Sequence, residues 1–278
     1  MQSQLTIGLI QWLPAPGQGD QNTTYACEQI RSQQGSDLIV LPELWPNACA
    51  GDTAALDAKA TAEPLDGPRT QRLGEAAKAS NSWVLAGSVP ELVDGRIFNT
   101  ALLFNRDGEL IATHRKVNLY TPLGEDLIYA AGSEYVVVET NDIGRLGIAT
   151  CFDADFPETA RQLATGGATI VVHPCAYEVA AEQWWDTLYP SHALANGLWW
   201  ISVNQCGTNG GVTQLGASRI ISPNGVIVYE AERAADGQTP AAVTAQVVID
   251  YADELASWKE HCSILRAPIP AATRTVGW

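Results

Sequence analysis

Cys151 stands where an apolar run, Leu146-Gly-Ile-Ala-Thr150, gives way to Phe152-Asp153-Ala154-Asp155-Phe156-Pro157-Glu158. A thiol at the carboxyl end of a strand in an α/β fold faces the crevice where such folds bind ligands. To act as a nucleophile it needs a base or a nearby cation, because a thiol of pKa ~8.5 is only a few per cent ionised at neutral pH. The bland alternative is a small buried hydrophobe, the commoner fate of a free cysteine. Glu43 closes the run Leu38-Ile-Val-Leu-Pro42. A carboxylate drawn partly out of water has its pKa raised and can serve as a general base; a helix cap or a salt bridge is the competing role. Lys116 is one of only four lysines and follows Thr113-His114-Arg115, in a section that reads as loop after the Arg106-Asp107-Gly108 turn. A fixed ammonium can hold the negative oxygen of a tetrahedral intermediate; otherwise it is a solvated surface charge. Taken singly, none of the three is decisive.

The elements that must position these residues are runs rich in β-branched residues. They fall at 5–11, 37–43, 83–89, 100–104, 135–139, 146–150, 169–173, 199–204, 218–223, 226–230 and 242–250. Several are continuous rather than alternating, which implies strands covered on both faces. Helical segments are expected at about 20–34, 67–80, 157–166 and 181–197, with Pro68 and Pro157 near two of the starts, where a missing N–H costs least. Asn224-Gly225 between two runs signals a hairpin. The balance is an α/β protein of mixed sheets covered by helices. No linker or composition break divides residues 1–278, so a single domain is expected, with the segment from about 251 as a C-terminal extension.

Composition narrows the partners. With 16 basic against 31 acidic residues the formal charge is −15, which argues against nucleic acid and against an anionic membrane surface. No stretch approaches the ~18–20 apolar residues of a membrane span. The first residues carry no basic n-region and read as a strand rather than a signal peptide. Cys27, Cys49, Cys151, Cys175, Cys206 and Cys262 lack CxxC spacing, which fits free thiols in a reducing cytoplasm. The four histidines are far apart, so neither a metal nor any other cofactor is expected.

Together the three segments resemble the nitrilase, or carbon–nitrogen hydrolase, superfamily. LIVLPELW (38–45) is similar to its glutamate motif and HRKVNLYTP (114–122) to its lysine motif. GIATCFDADFPETAR (147–161) is similar to its cysteine motif, C-Y-D-x-x-F-P-E-x-x-R, with Phe for Tyr. The order Glu, Lys, Cys and the intervals of 73 and 35 residues also agree, as do the A-L-A-N-G helix ending and LGASRIISPNG (215–225). The resemblance implies a four-layer α-β-β-α sandwich and a homodimer or larger homo-oligomer, with the extension from about 251 taken here to make subunit contacts. It implies Cys151 as nucleophile, Glu43 as general base, Lys116 as oxyanion stabiliser and Glu125 as a second glutamate. The backbone N–H of Phe152 is expected to join Lys116 at the oxyanion. His173, Cys175, Ala176, Tyr177 and Trp184 are expected at the pocket rim, with Asp153, Glu158 and Arg161 supporting the cysteine turn and Glu158 pairing with Arg161 at i, i+3.

The activity implied is hydrolysis of a non-peptide amide bond of a small molecule through a thioester. N-carbamoyl amine or nitrile hydrolysis is the alternative within the superfamily, and a non-catalytic binding or assembly protein the alternative outside it. Nitrile hydrolysis is less favoured, because true nitrilases usually show Cys-Trp-Glu where this chain has Cys151-Phe152-Asp153. Many relatives carry an arginine before A-L-x-N-G and end it in E-N-G. Here Tyr189-Pro-Ser-His192 and Ala195-Asn-Gly197 stand instead, which weakens any implied recognition of a substrate carboxylate.

Overall fold

Alternate residues of Leu38-Ile39-Val40-Leu41 face opposite ways, and both directions are apolar. Leu38 and Val40 join a central cluster with Leu5, Ile7 and Leu85, whereas Ile39 and Leu41 pack with Ala26, Ile30 and Leu73 from two helices. The second sheet repeats this: Ile170 and Val172 enter the same central cluster, while Val171 packs against Leu163, Trp185 and Tyr189. Two sheets therefore share an inner core and each carries helices outside. This is why the runs read as continuous, and it is the expected α-β-β-α layering.

The computed structural model describes residues 2–47, 54–209, 211–234, 242–262 and 265. The first sheet holds, in spatial order, Val243–Ile249, Leu5–Gln11, Leu38–Val40, Trp83–Val93, Arg96–Phe104 and Leu110–Arg115. The second holds Ile227–Glu230, Arg219–Ile221, Trp199–Asn204, Ile170–Cys175, Arg145–Ile148 and Val136–Glu139. Each has a parallel centre of three strands with antiparallel flanks. The carboxyl ends of the two centres meet, because the backbone N–H groups of Glu43 and Gln205 both donate to the Cys175 carbonyl, each at 3.2 Å. The crevice in which a site can form is thus defined.

Pro68 and Pro157 each lie in the opening positions of their helices, Pro68–Ser80 and Pro157–Thr165. The Asn224-Gly225 turn joins two antiparallel strands, with Gly225 at φ 77°. Three elements depart from expectation. Leu110–Arg115 is a strand and not a loop, paired antiparallel with Arg96–Phe104. It lies at the sheet edge and is only partly covered, so its sequence carries little apolar signal. A short hairpin, Cys206–Asn209 with Val212–Leu215, and a helix, Ala54–Thr61, were likewise not signalled. The segment from 251 opens as a helix, Tyr251–His261, whose Tyr251, Leu255 and Trp258 are buried at i, i+4, i+7. Trp258 Nε1 donates to Leu194 O at 2.6 Å, which ties this helix to its own chain. Beyond it, all but Cys262 and Leu265 lies outside the described residues, as does Cys49.

Candidate active site

Glu43 leaves its strand under unusual constraint. A Cβ on Gly87 would lie 1.7 Å from the Pro42 carbonyl oxygen, so only glycine lets the two backbones approach this closely. Leu44 takes φ 45° and donates its N–H to Ser88 Oγ at 2.9 Å, while Gln205 Nε2 donates to Glu43 O at 2.7 Å. With the main chain pinned on both sides, Glu43 is 3% exposed.

Lys116 follows the edge strand directly. Its N–H donates to Asn99 O and its carbonyl accepts from Gly132 N, both at 2.8 Å. Its Nζ donates to Glu43 Oε1 and Glu125 Oε2, each at 2.8 Å. Asn99 Nδ2 closes the ring, donating to Glu43 Oε1 and Glu125 Oε1 at 2.8 Å each. Glu125, in the short 3₁₀ turn Glu125–Leu127, also accepts from Tyr120 N at 2.7 Å. Burial pushes the Glu43 carboxyl above its ordinary range, although the Lys116 ammonium pulls the other way. Burial disfavours the Lys116 charge, but the two carboxylates outweigh it and hold the ammonium protonated. Glu43 and Lys116 therefore titrate together.

Cys151 opens the 3₁₀ helix Cys151–Asp155 in a left-handed conformation, φ 46°. A non-glycine residue there is strained and persists only where its surroundings hold it. Asp153 supplies that hold. Its Oδ2 accepts from Thr150 N at 3.1 Å and from His114 Nε2 at 2.9 Å. Its Oδ1 accepts from Val117 N at 3.1 Å, Asn118 N at 2.7 Å and Asn118 Nδ2 at 3.3 Å. One buried carboxylate therefore fastens the lysine segment to the cysteine turn. Burial would raise its pKa, but the His114 hydrogen bond and charge lead the opposing effects and it ends below the ordinary value.

His173 lies behind this turn and not at the pocket rim. Trp200 Nε1 can only donate, and it donates to His173 Nδ1 at 3.3 Å. The proton therefore sits on Nε2, which donates to the Cys151 carbonyl at 3.0 Å. Burial holds the ring neutral, with its pKa lowered to about 3. Cys175 is also fully buried, so the rim expectation fails for both. The Cys175 thiol hydrogen-bonds Cys151 and lowers its pKa, yet burial and the Glu43 charge prevail and leave the Cys151 thiol above its ordinary value.

Two adjoining cavities meet at Cys151. The larger is lined by Glu43, Lys116, Glu125, Tyr129 and Gln214 among others. The smaller is lined by Phe152, Asp155, Ala176, Tyr177, Glu178 and Trp184 among others. Tyr120, Leu123, Cys151 and Ala176 border both. Ala176, Tyr177 and Trp184 thus border this smaller cavity, and Trp185 beside them is buried core. The N–H of Phe152 sits in the opening turn of its helix, where such groups lack an intrahelical acceptor. Glu158 and Arg161 do not support the turn: Glu158 is exposed, and Arg161 Nη2 donates to Ala195 O at 3.4 Å and Leu265 O at 3.0 Å. No ion pair joins them among the described residues. The site also contains residues that were not foreseen: Asn99, His114, Tyr120 and Asp155. Among the described residues no group of His, Cys, Asp and Glu is arranged to hold a metal ion, and no helix is long and apolar enough to cross a membrane.

The chain as a whole is similar to several known proteins. The chain is 30% identical over 242 residues to the chloroplastic omega-amidase of Arabidopsis thaliana, covering 83% of this chain and 65% of that protein. It superposes on Nit3 of Saccharomyces cerevisiae, a member of branch 10 of the nitrilase superfamily, with TM-score 0.80, 25% identity and 94% of each chain covered. It superposes on the amidase of Nesterenkonia sp. AN1 with TM-score 0.74 and 25% identity, covering 91% of this chain and 92% of that one. That amidase was solved as a variant with the acetamide moiety of fluoroacetamide covalently added at its active-site cysteine. The carbon–nitrogen hydrolase family model matches residues 4–256, and with its nitrilase-type sandwich the chain belongs to the carbon–nitrogen hydrolase family.

Proposed function

We propose that this protein hydrolyses a non-peptide amide bond through a thioester on Cys151, consuming water and releasing a carboxylic acid with ammonia or an amine. The carrying observation is the ring in which Lys116 Nζ bridges Glu43 and Glu125 at 2.8 Å each, opening onto the cavity that Cys151 also lines. The acetamide adduct on the active-site cysteine of the Nesterenkonia amidase, and the omega-amidase of Arabidopsis, support the same reading.

Because the resting thiol is held neutral, its proton must leave as sulfur attacks the substrate carbonyl. Glu43 takes that proton; its raised pKa brings it closer to the working pH, where a proton shuttle is most effective. Lys116 Nζ and Phe152 N–H hold the oxyanion, each such donor contributing ~3–4 kcal/mol. Glu43 returns the proton to the leaving nitrogen, and the C–N bond breaks to leave the thioester. Water, deprotonated by Glu43, then attacks the thioester carbon and frees the thiol. Glu125 keeps Lys116 charged and oriented throughout. His173 does not compete for the base role, since its Nε2 proton is committed to the Cys151 carbonyl.

The chain is further read as one catalytic domain that assembles as a homodimer or larger homo-oligomer in the cytoplasm. Exposed apolar residues at the edge strand, Val226 just before it at 57% and Val228 within it at 45%, favour assembly. The test is ammonia release across primary amides, N-carbamoyl amines and nitriles, with intact mass spectrometry of the protein. An acyl adduct that appears on the wild type and not on C151A supports the reading. Turnover of nitriles or carbamoyl amines without turnover of amides overturns it.

A further inference from the structure

We infer that the preferred amide carries a positive charge, an ammonium or guanidinium, on its acyl chain. This deepens the amidase reading above and rests on it. The smaller cavity beside Cys151 has aromatic walls, Tyr120, Phe152, Tyr177 and Trp184, and two carboxylates, Asp155 and Glu178. No lysine or arginine lines it among the described residues. Carboxylates set among aromatic faces suit a cation, which the ring quadrupoles attract as well.

The neighbouring cavity sharpens the charge balance. Its single cation, Lys116, is already held between Glu43 and Glu125. Four carboxylates against one ammonium therefore border the space a substrate must enter. A substrate carboxylate would meet like charge and, among the described residues, no free cation, in a protein of net charge −15 that already repels anions. Asp155 is the better placed of the two for binding. Tyr189 donates to its Oδ1 at 2.7 Å and Tyr177 to its Oδ2 at 3.1 Å, which fixes the carboxylate and leaves each oxygen able to accept again. No cationic side chain pairs with Asp155 or Glu178 among the described residues. Burial raises the Asp155 carboxyl to about 6, as expected of a carboxylate without such a partner.

The test compares kcat/KM for three primary amides of equal chain length, ending in ammonium, methyl or carboxylate. The expected order is ammonium, methyl, carboxylate, with the ammonium amide about 100-fold above the carboxylate one and losing its advantage as ionic strength rises. The double variant D155N/E178Q should cut the ammonium-to-methyl ratio at least ~10-fold, the scale of one lost charge-assisted contact. E178Q alone, at a partly exposed position, should lower that ratio in the same direction should D155N fold poorly. A preference for the methyl or carboxylate amide, or a ratio unmoved in E178Q and in the double variant, overturns the inference while leaving the amidase reading intact. Failure of all three amides to turn over or to acylate Cys151 overturns both.

Discussion

Asn99 donates one N–H to each glutamate of the site, at 2.8 Å. Its Oδ1 has no partner among the described residues, so N99A removes those two bonds and orphans nothing else. A hydrogen bond to an ionised group contributes ~1.5–3 kcal/mol. At 1.36 kcal/mol per pKa unit, losing the bond to Glu43 should raise that carboxyl by about 1–2 units. The sign follows from which form the amide favours. The donated N–H stabilises the carboxylate, so its removal favours the protonated acid, in a group that burial has already pushed upward. The acid limb of kcat/KM should therefore move to higher pH by about 1–2 units. Activity should fall ~10–100-fold below that limb and recover toward wild type above it. The assay is ammonia release followed from about pH 5 to pH 10, with the apparent values assigned to the coupled set. An equal loss at every pH, with the limb unmoved, would refute the reasoning and make Asn99 a packing residue only.

C151A should leave less than ~1% of wild-type turnover and form no acyl adduct by mass spectrometry, with the circular dichroism spectrum retained. K116A should lower kcat by ~10²–10³-fold through loss of an oxyanion donor. It should also destabilise the fold by about 3–5 kcal/mol, because two carboxylates are left buried without their cation. Burial already raises the Glu43 carboxyl and the lost ammonium was what pulled it down, so the deficit in urea midpoint should shrink as pH falls and Glu43 becomes protonated. H173A should reduce stability and rate together, yet leave the pH limbs in place. The native ring titrates at about 3 and stays neutral over the working range, so a limb that vanished in H173A would show instead that His173 is a base.

Where a signal depended on burial alone, the sequence carried it well. Trp199–Asn204 agrees with its expected run at both ends because every residue of that strand is covered. Leu38–Val40 is three residues long, yet its two-sided cover made it visible, and it delivers Glu43. Leu110–Arg115 is hidden by its position at a sheet edge, so in sequence Lys116 reads as a loop residue. Asn99 left one trace, a polar Asn-Thr pair inside the apolar strand Arg96–Phe104, where a buried amide needs a reason. Arg161 shows where local spacing misleads. The i, i+3 rule describes neighbours on one helix, but carbonyl oxygens from residues 195 and 265 claim its guanidinium.

Asp153 and Asp155 show why the substrate side of the site was hardest to read. They have the same side chain, two residues apart, in one 3₁₀ turn. Asp153 receives hydrogen bonds from backbone N–H groups of two segments and from a histidine, and its acidity is strengthened despite complete burial. Asp155 receives two tyrosine hydroxyls, and its acidity is weakened to about 6. The number and strength of donors around a carboxylate decide whether it serves as a structural clamp or as a binding group. Apart from the neighbouring Thr150, those donors come from His114, Val117, Asn118, Tyr177 and Tyr189, and only the packing of the sandwich brings them there.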